Sequence, residues 1–373
     1  MDPFRYGQVV SGEYFCPRPE LAKALQGYIK AGQNVYVQGE RRIGKTSLIS
    51  ETVAGLPAHR PVYIDLLGIK SVDMLVKEIA AAVIRMGDKR DNLFERMGKY
   101  LARLGLSFSF DPVTAFPSVA IIPGARPDGP DSLDAALDLI GSIHTAKRPV
   151  VVILDEFQAI LGLKNHAGIV ARMRGKIQFQ PKIPCVFAGS IRHKMEALFV
   201  SPDSPFFKSA VQLSVGPLDE KIFRKHLAGR FKKGKREISD TVLDEVFRVC
   251  DGITGDVQQF CSALWSVTEE KTRITEKALP EALAVIFGRE RAGYEATVEN
   301  ISEQQLKCLV GVARHGGRET TGIDFLGKTG IPLAASAQKA LERLVQLRIL
   351  FRQRAEYRFT NPFFREWLLS RGF

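Results

Sequence analysis

Two apolar periods alternate along the first 216 residues. NVYVQ (34–38) and PVYIDLL (61–67) read as strands, and the runs VVVIL (150–154) and IPCVFAGS (183–190) are apolar at nearly every position, not at every second one. Strands of that kind are buried on both faces, as in a parallel sheet. Between them, segments such as SVDMLVKEIAAAVIRM (71–86) carry apolar residues three and four apart and predict covering helices. The alternation predicts an α/β core over residues 1–216. One stretch breaks it. LARLGLSFSFDPVTAFPSVAIIPG (101–124) alternates around a DP turn and reads as a hairpin inserted at about 105–122. It either carries partner contacts or packs on its own domain.

After residue 216 the strand pattern stops. PLDEKIFRKHLAGRF, SDTVLDEVFRVC, DVQQFCSALWSVTEE and TEKALPEALAVIF are helical in period and form an all-α segment, 217–294. From 295 to 373 the order changes again. Ser302 and Gln305 form a capping box that opens a helix to about Arg314. TTGIDFLGKTG holds a short second helix and 333–348 is an amphipathic third one. ILFRQRAEYRFT (349–360) reads as a hairpin and Asn361-Pro362 as the start of a last helix. Three helices followed by a β-wing is the winged-helix order.

The chemistry lies where strands end. VYVQGERRIGKTSLIS (35–50) contains Gly39, Glu40, Arg41, Arg42, Ile43, Gly44, Lys45 and Thr46, which fit GxxxxGK[ST] between a readable strand and a readable helix. The glycines let successive N–H groups point inward as a phosphate nest, and the helix start at Lys45 to Ser47 adds its dipole. Lys45 is placed to reach the β- and γ-phosphates and the Thr46 hydroxyl to bind Mg²⁺. Arg41 and Arg42 either aid phosphate binding or are solvated loop tips. In PVVVILDEFQAI (149–160), Asp155 and Glu156 stand at the C-terminal end of a buried strand, where ligands bind in open α/β sheets. Asp155 is the candidate Mg²⁺ acid, and Glu156 the candidate general base for a water attacking the γ-phosphate. Ser190, ending the next strand, either reads the γ-phosphate or caps the helix that follows. With no NKxD motif for guanine, the expected nucleotides are ATP and ADP.

The blocks FCPRPEL (15–21), VQGERRIGKTSLI (37–49), VVILDEFQAI (151–160), FAGSIRHKMEALF (187–199) and EYRFTNPFFREWL (356–368) resemble the archaeal-type ATPases, a prokaryotic family of AAA+/STAND-like P-loop ATPases. The resemblance spans nearly the whole chain. It implies an AAA+-like core with a parallel sheet, an all-α lid and a C-terminal winged helix. It also implies that Lys45 and Thr46 bind phosphate and Mg²⁺, that Asp155 and Glu156 are metal acid and base, and that Ser190 is a sensor. Arg18, in the FCPRPEL block, is expected near the nucleotide base or pinning the N-terminal strap. Two positions depart from the family pattern. Lys208-Ser209 stands where Gly-Arg is usual, and Val257 stands where the lid commonly has proline.

Charge extends the list of partners. The chain of 373 residues has a net charge of +12, which points to a polyanion such as nucleic acid. Residues 301–373 hold 12 Lys and Arg against 6 Asp and Glu, half the excess in a fifth of the length. Lys339 and Arg343 on the third helix, beside Ser336 and Gln338, would face a major groove, with Arg352, Arg354 and Arg358 along the wing against phosphates. Duplex DNA is one expected partner. A docked protein or a further copy of the chain is the other. RFKKGKR (230–236) either touches such a partner or is a solvated helix end. Five scattered cysteines without a CxxC pair argue against a disulfide framework or zinc site. No signal peptide or membrane-length apolar run is present, so a cytoplasmic location is expected and a membrane partner is not.

Overall fold

The computed structural model describes residues 2–86, 106–110, 117–121, 130–190, 192–353 and 355–372. They form two compact units, Val9–Gly216 and Pro217–Phe373 together with Met1–Gln8. Asp2–Gln8 thus belong to the C-terminal unit, whereas the sequence pattern puts them with the α/β core.

In the unit Val9–Gly216, strands β1 (Val35–Gln38), β2 (Arg60–Asp65), β5 (Val150–Asp155), β6 (Cys185–Gly189) and β7 (Val211–Ser214) form one sheet in the order β2-β5-β6-β1-β7. All its pairings are parallel. β3 (Leu106–Phe110) and β4 (Pro117–Ile121) pair antiparallel as a separate hairpin within the predicted insertion. Numbered without that hairpin, the sheet reads 5-1-4-3-2 from the β7 edge. Every residue of β1, β5 and β6 is buried, which is why these runs lack the alternation of a half-exposed strand. Beneath the C-terminal ends of β5 and β6 lies an aromatic cluster. Phe157 and Phe187 have ring centroids 4.7 Å apart, Phe187 and Phe206 5.3 Å, and Tyr36 stacks on Phe199 at 4.7 Å. Phe157 is fully buried, so the backbone on either side of it, at Glu156 and Gln158, is held by the core.

In the second unit, helices Glu220–Lys233, Asp240–Cys250, Thr254–Ser266 and Leu279–Glu299 precede Glu303–His315, Ile323–Thr329 and Ala334–Gln346. The antiparallel strands Leu350–Gln353 and Glu356–Phe359 and the helix Pro362–Ser370 follow. Both hydrogen bonds of the Ser302–Gln305 capping box are present. Helix Leu279–Glu299 runs through the expected 294/295 boundary without a break. The last helix fastens the winged helix to the helices before it. Tyr294 packs on Phe364 at 5.0 Å and on Trp367 at 5.5 Å, Phe260 on Phe363 at 5.9 Å, and Asn361 Nδ2 donates to Glu290 at 2.8 Å. The N-terminus joins the same core. Phe4 lies 4.6 Å from Phe231 and 6.2 Å from Trp265, and the Ser262 hydroxyl donates to Asp2 at 2.6 Å. Among the described residues no helix is long and apolar enough to cross a membrane.

Candidate functional site

β1 runs into the loop at Gly39. A Cβ there would meet the Val215 carbonyl oxygen at 2.4 Å, so only glycine lets the loop leave beside the end of β7. The loop turns twice through the left-handed region, at Arg42 (φ 62°) and Gly44 (φ 91°), and Gly44 starts the helix Lys45–Ala54. Such reversals turn successive N–H groups to one side and make an anion nest. Ile43 is buried and holds the loop down, while Arg41 and Arg42 are exposed. Arg18 pins the loop from below: its guanidinium donates to the carbonyl of Ile43 at 2.9 Å and to that of Gly216 at 2.7 Å. Ser47 is turned away from the loop and accepts the Val10 N–H at 3.1 Å.

Lys45 is 6% exposed, and its Nζ donates to the carbonyls of Gly39 at 3.0 Å and Glu40 at 2.8 Å. Burial lowers its pKa to about 8, with Glu156 and Asp155 opposing the shift. Thr46 Oγ1 donates to Asp155 Oδ2 at 2.8 Å, which brings the loop to the end of β5 across the intervening β6. Asp155 Oδ1 accepts the Glu156 N–H at 2.9 Å. Glu156 follows in left-handed conformation (φ 50°), a strained state for a side-chain-bearing residue that clusters at functional sites. The Ser190 hydroxyl donates to Glu156 Oε2 at 2.9 Å, as does Gln158 Nε2.

Two residues here are not among those the motifs single out. The Tyr63 hydroxyl, on β2, also donates to Asp155 Oδ2. Burial and this hydrogen bond push the phenol far above its ordinary pKa, so it stays a donor. A phenol inside an otherwise apolar strand is its signal. Gln158 is 3% exposed, and its signal is an amide in a stretch whose neighbours are core residues.

The possible DNA contacts lie in the second unit. Lys339 and Arg343 are exposed on helix Ala334–Gln346, opposite its buried Ala337, Ala340, Leu341 and Leu344. Arg352 is exposed on the wing, 5.7 Å from the centre of the Tyr357 ring. Arg358 is half-buried and paired, with Glu356 at 3.0 Å and Asp251 at 3.9 Å. Arg354 lies outside the described residues.

In structure the chain is similar to a Walker-type ATPase of Pyrococcus abyssi, with a TM-score of 0.67 and 16% identity over 98% of this chain and 99% of that one. The fold is that of the AAA+ P-loop ATPases, and it ends in a winged helix. A family model for a "probable winged helix domain" matches residues 292–370. The ORC1 protein of Aeropyrum pernix, solved in complex with DNA, is similar with a TM-score of 0.55 and 14% identity over 96% of this chain and 94% of that one. The ORC2 protein of the same organism, in ADPNP and ADP complexes, has a TM-score of 0.51 and 14% identity over 95% and 93%. A comparison with curated proteins finds no match. The expected resemblance to archaeal ATPases therefore holds at the level of the fold.

The lowered pKa of Lys45 has a definite sign. Above about 8 the folded site sheds a proton that an unfolded lysine keeps to about 10.4, so this group's effect on stability is a gain as pH rises through that window. A phosphate ligand needs the ammonium form, so its binding takes up the proton. ATP affinity is expected to fall by up to about tenfold per pH unit above pH 8. Calorimetric titrations at pH 7, 8 and 9 read this directly, and a flat profile would contradict it.

Proposed function

We propose that the protein is an Mg²⁺-dependent ATPase whose nucleotide state is coupled to a basic, DNA-binding winged helix. The observation that carries this reading is the meeting of a phosphate loop, two acids and a hydroxyl at the C-terminal ends of β1, β5 and β6, through the bonds Thr46–Asp155 (2.8 Å) and Ser190–Glu156 (2.9 Å). Backbone N–H groups of residues 39–46 bind the phosphates, and Lys45 swings from the loop carbonyls to the β- and γ-phosphates. Thr46 Oγ1 and Asp155 Oδ2 are hard oxygen donors brought to one point, and Mg²⁺ takes such ligands directly or through water. When bound, Mg²⁺ offsets charge on the β- and γ-phosphate oxygens. Glu156 takes the proton of the attacking water, and Ser190 reads the γ-phosphate. The reading divides the chain into core to 216, lid over 217–294 and winged helix from 295. Five free, buried cysteines suit a reducing cytoplasm.

For the winged helix, Lys339, Arg343 and Arg352 are exposed, and likeness of fold to an ORC1 protein solved with DNA supports the duplex as partner. A second reading, a slow switch whose winged helix docks a protein, draws on Ile323 at 92% and Leu333 at 63% exposure.

Glu156→Gln is expected to bind ATP and release phosphate at least about 100-fold more slowly than wild type, the lower end of general-base effects; a normal rate would move the base elsewhere. The triple variant Lys339→Ala, Arg343→Ala, Arg352→Ala is expected to weaken duplex binding. Its log–log salt slope is expected to drop by about 1 for each side chain that had neutralised a phosphate. Superimposable salt curves for variant and wild type would favour the protein-docking reading.

A further inference from the structure

We propose that Gln158 is the positioning residue of the general base, holding Glu156 so that one carboxylate oxygen is left for the attacking water. This rests on the ATPase reading and deepens it. Gln158 Nε2 donates to Glu156 Oε2, as the Ser190 hydroxyl does at 2.9 Å, and the same Nε2 lies 3.4 Å from Ser190 Oγ. The three side chains form a closed triangle about one oxygen. Oε2 is thereby occupied, and Oε1 is the oxygen left to take a proton.

The triangle is held at a cost that packing alone does not require. Gln158 is almost wholly buried, yet its Oε1 has no hydrogen-bond partner. An unpaired buried carbonyl costs about 1–3 kcal/mol relative to a paired one. A leucine or methionine would fill the space without that cost, so the amide is kept for its donor end. The surroundings fix which end points where. A Cβ at Gly189 would stand 2.5 Å from Gln158 Oε1 and 2.3 Å from Met195 Sδ, so the oxygen is pressed against the glycine at the end of β6. The amide nitrogen is left facing Glu156. Phe157, locked in the aromatic cluster, fixes the backbone between the two residues. Glu156 itself is in the left-handed region, where a carboxylate without lateral support would have other orientations open to it. An attacking water must be met within a few tenths of an ångström, and a misplacement of about 1 Å can cost about 100-fold in rate.

The test is Gln158→Met, which keeps length and volume, removes the donor and removes the unpaired oxygen. Wild type, Gln158→Met, Glu156→Gln and the double variant are compared for steady-state phosphate release, ATP dissociation constant and Tm. Gln158→Met is expected to keep ATP affinity and Tm at or above wild type while kcat falls about 10- to 100-fold, part of the about 100- to 10,000-fold that a positioned base contributes. In the Glu156→Gln background it is expected to add no further loss, because a residue acting through Glu156 has nothing left to position. A wild-type kcat in Gln158→Met, or an equal loss in both backgrounds, overturns the inference while the ATPase reading stands. Absence of turnover in wild type overturns the ATPase reading, and this inference with it.

Discussion

The hydrogen bond between Thr46 and Asp155 joins positions 109 residues apart, and the geometry of the site hangs on it. It closes only if β1, β5 and β6 keep their parallel register, since β6 stands between the strands that carry the two residues. That register comes from burial on both faces of the sheet, where a slip of one residue would reverse which side chains face each helix layer. Asp155 then collects Thr46 and Tyr63 on one oxygen and the Glu156 amide on the other. Satisfied on both oxygens, the carboxylate is held in one orientation before any ligand arrives. A carboxylate fixed in this way can meet a charge without reorganising first.

The phosphate loop was readable because its chemistry forces residue types at fixed spacing. Glycine is required where Gly39 meets Val215 and suits the left-handed turn at Gly44. Asp155 and Glu156 were readable because charge after five apolar residues has few uses. Tyr63 and Gln158 were not, since each acts through a partner brought near only by sheet pairing or by a backbone reversal. Ser47 shows the converse. It belongs to the helix start by sequence, yet its hydroxyl is taken by the N-terminal strap at Val10. Nor does anything local reveal that Phe4 inserts beside Phe231 and Trp265.

Charge was the least faithful guide. Residues 230–236 read as an exposed basic run, yet Arg230 is buried and Arg236 lies 3.7 Å over the Trp265 ring while donating to the Thr268 carbonyl. Gly234 is open to the same ring, which a Cβ would strike at 1.8 Å. On the wing, Arg358 is held by Glu356 and Asp251. Arginine's flat, weakly hydrated head suits such structural posts, so a net charge counted from sequence overstates the charge offered to a partner. Lys339, Arg343 and Arg352, by contrast, are exposed on the winged helix.

Whether residues 39–46 and Asp155 together hold Mg²⁺-ATP is tested most directly by calorimetric titration of ATP with Mg²⁺ into wild type and into Lys45→Ala at pH 7. Saturable binding near one ATP per chain is expected in wild type and none at the same concentrations in the variant. Equal affinity in the two proteins would contradict it and would place the nucleotide somewhere other than this loop.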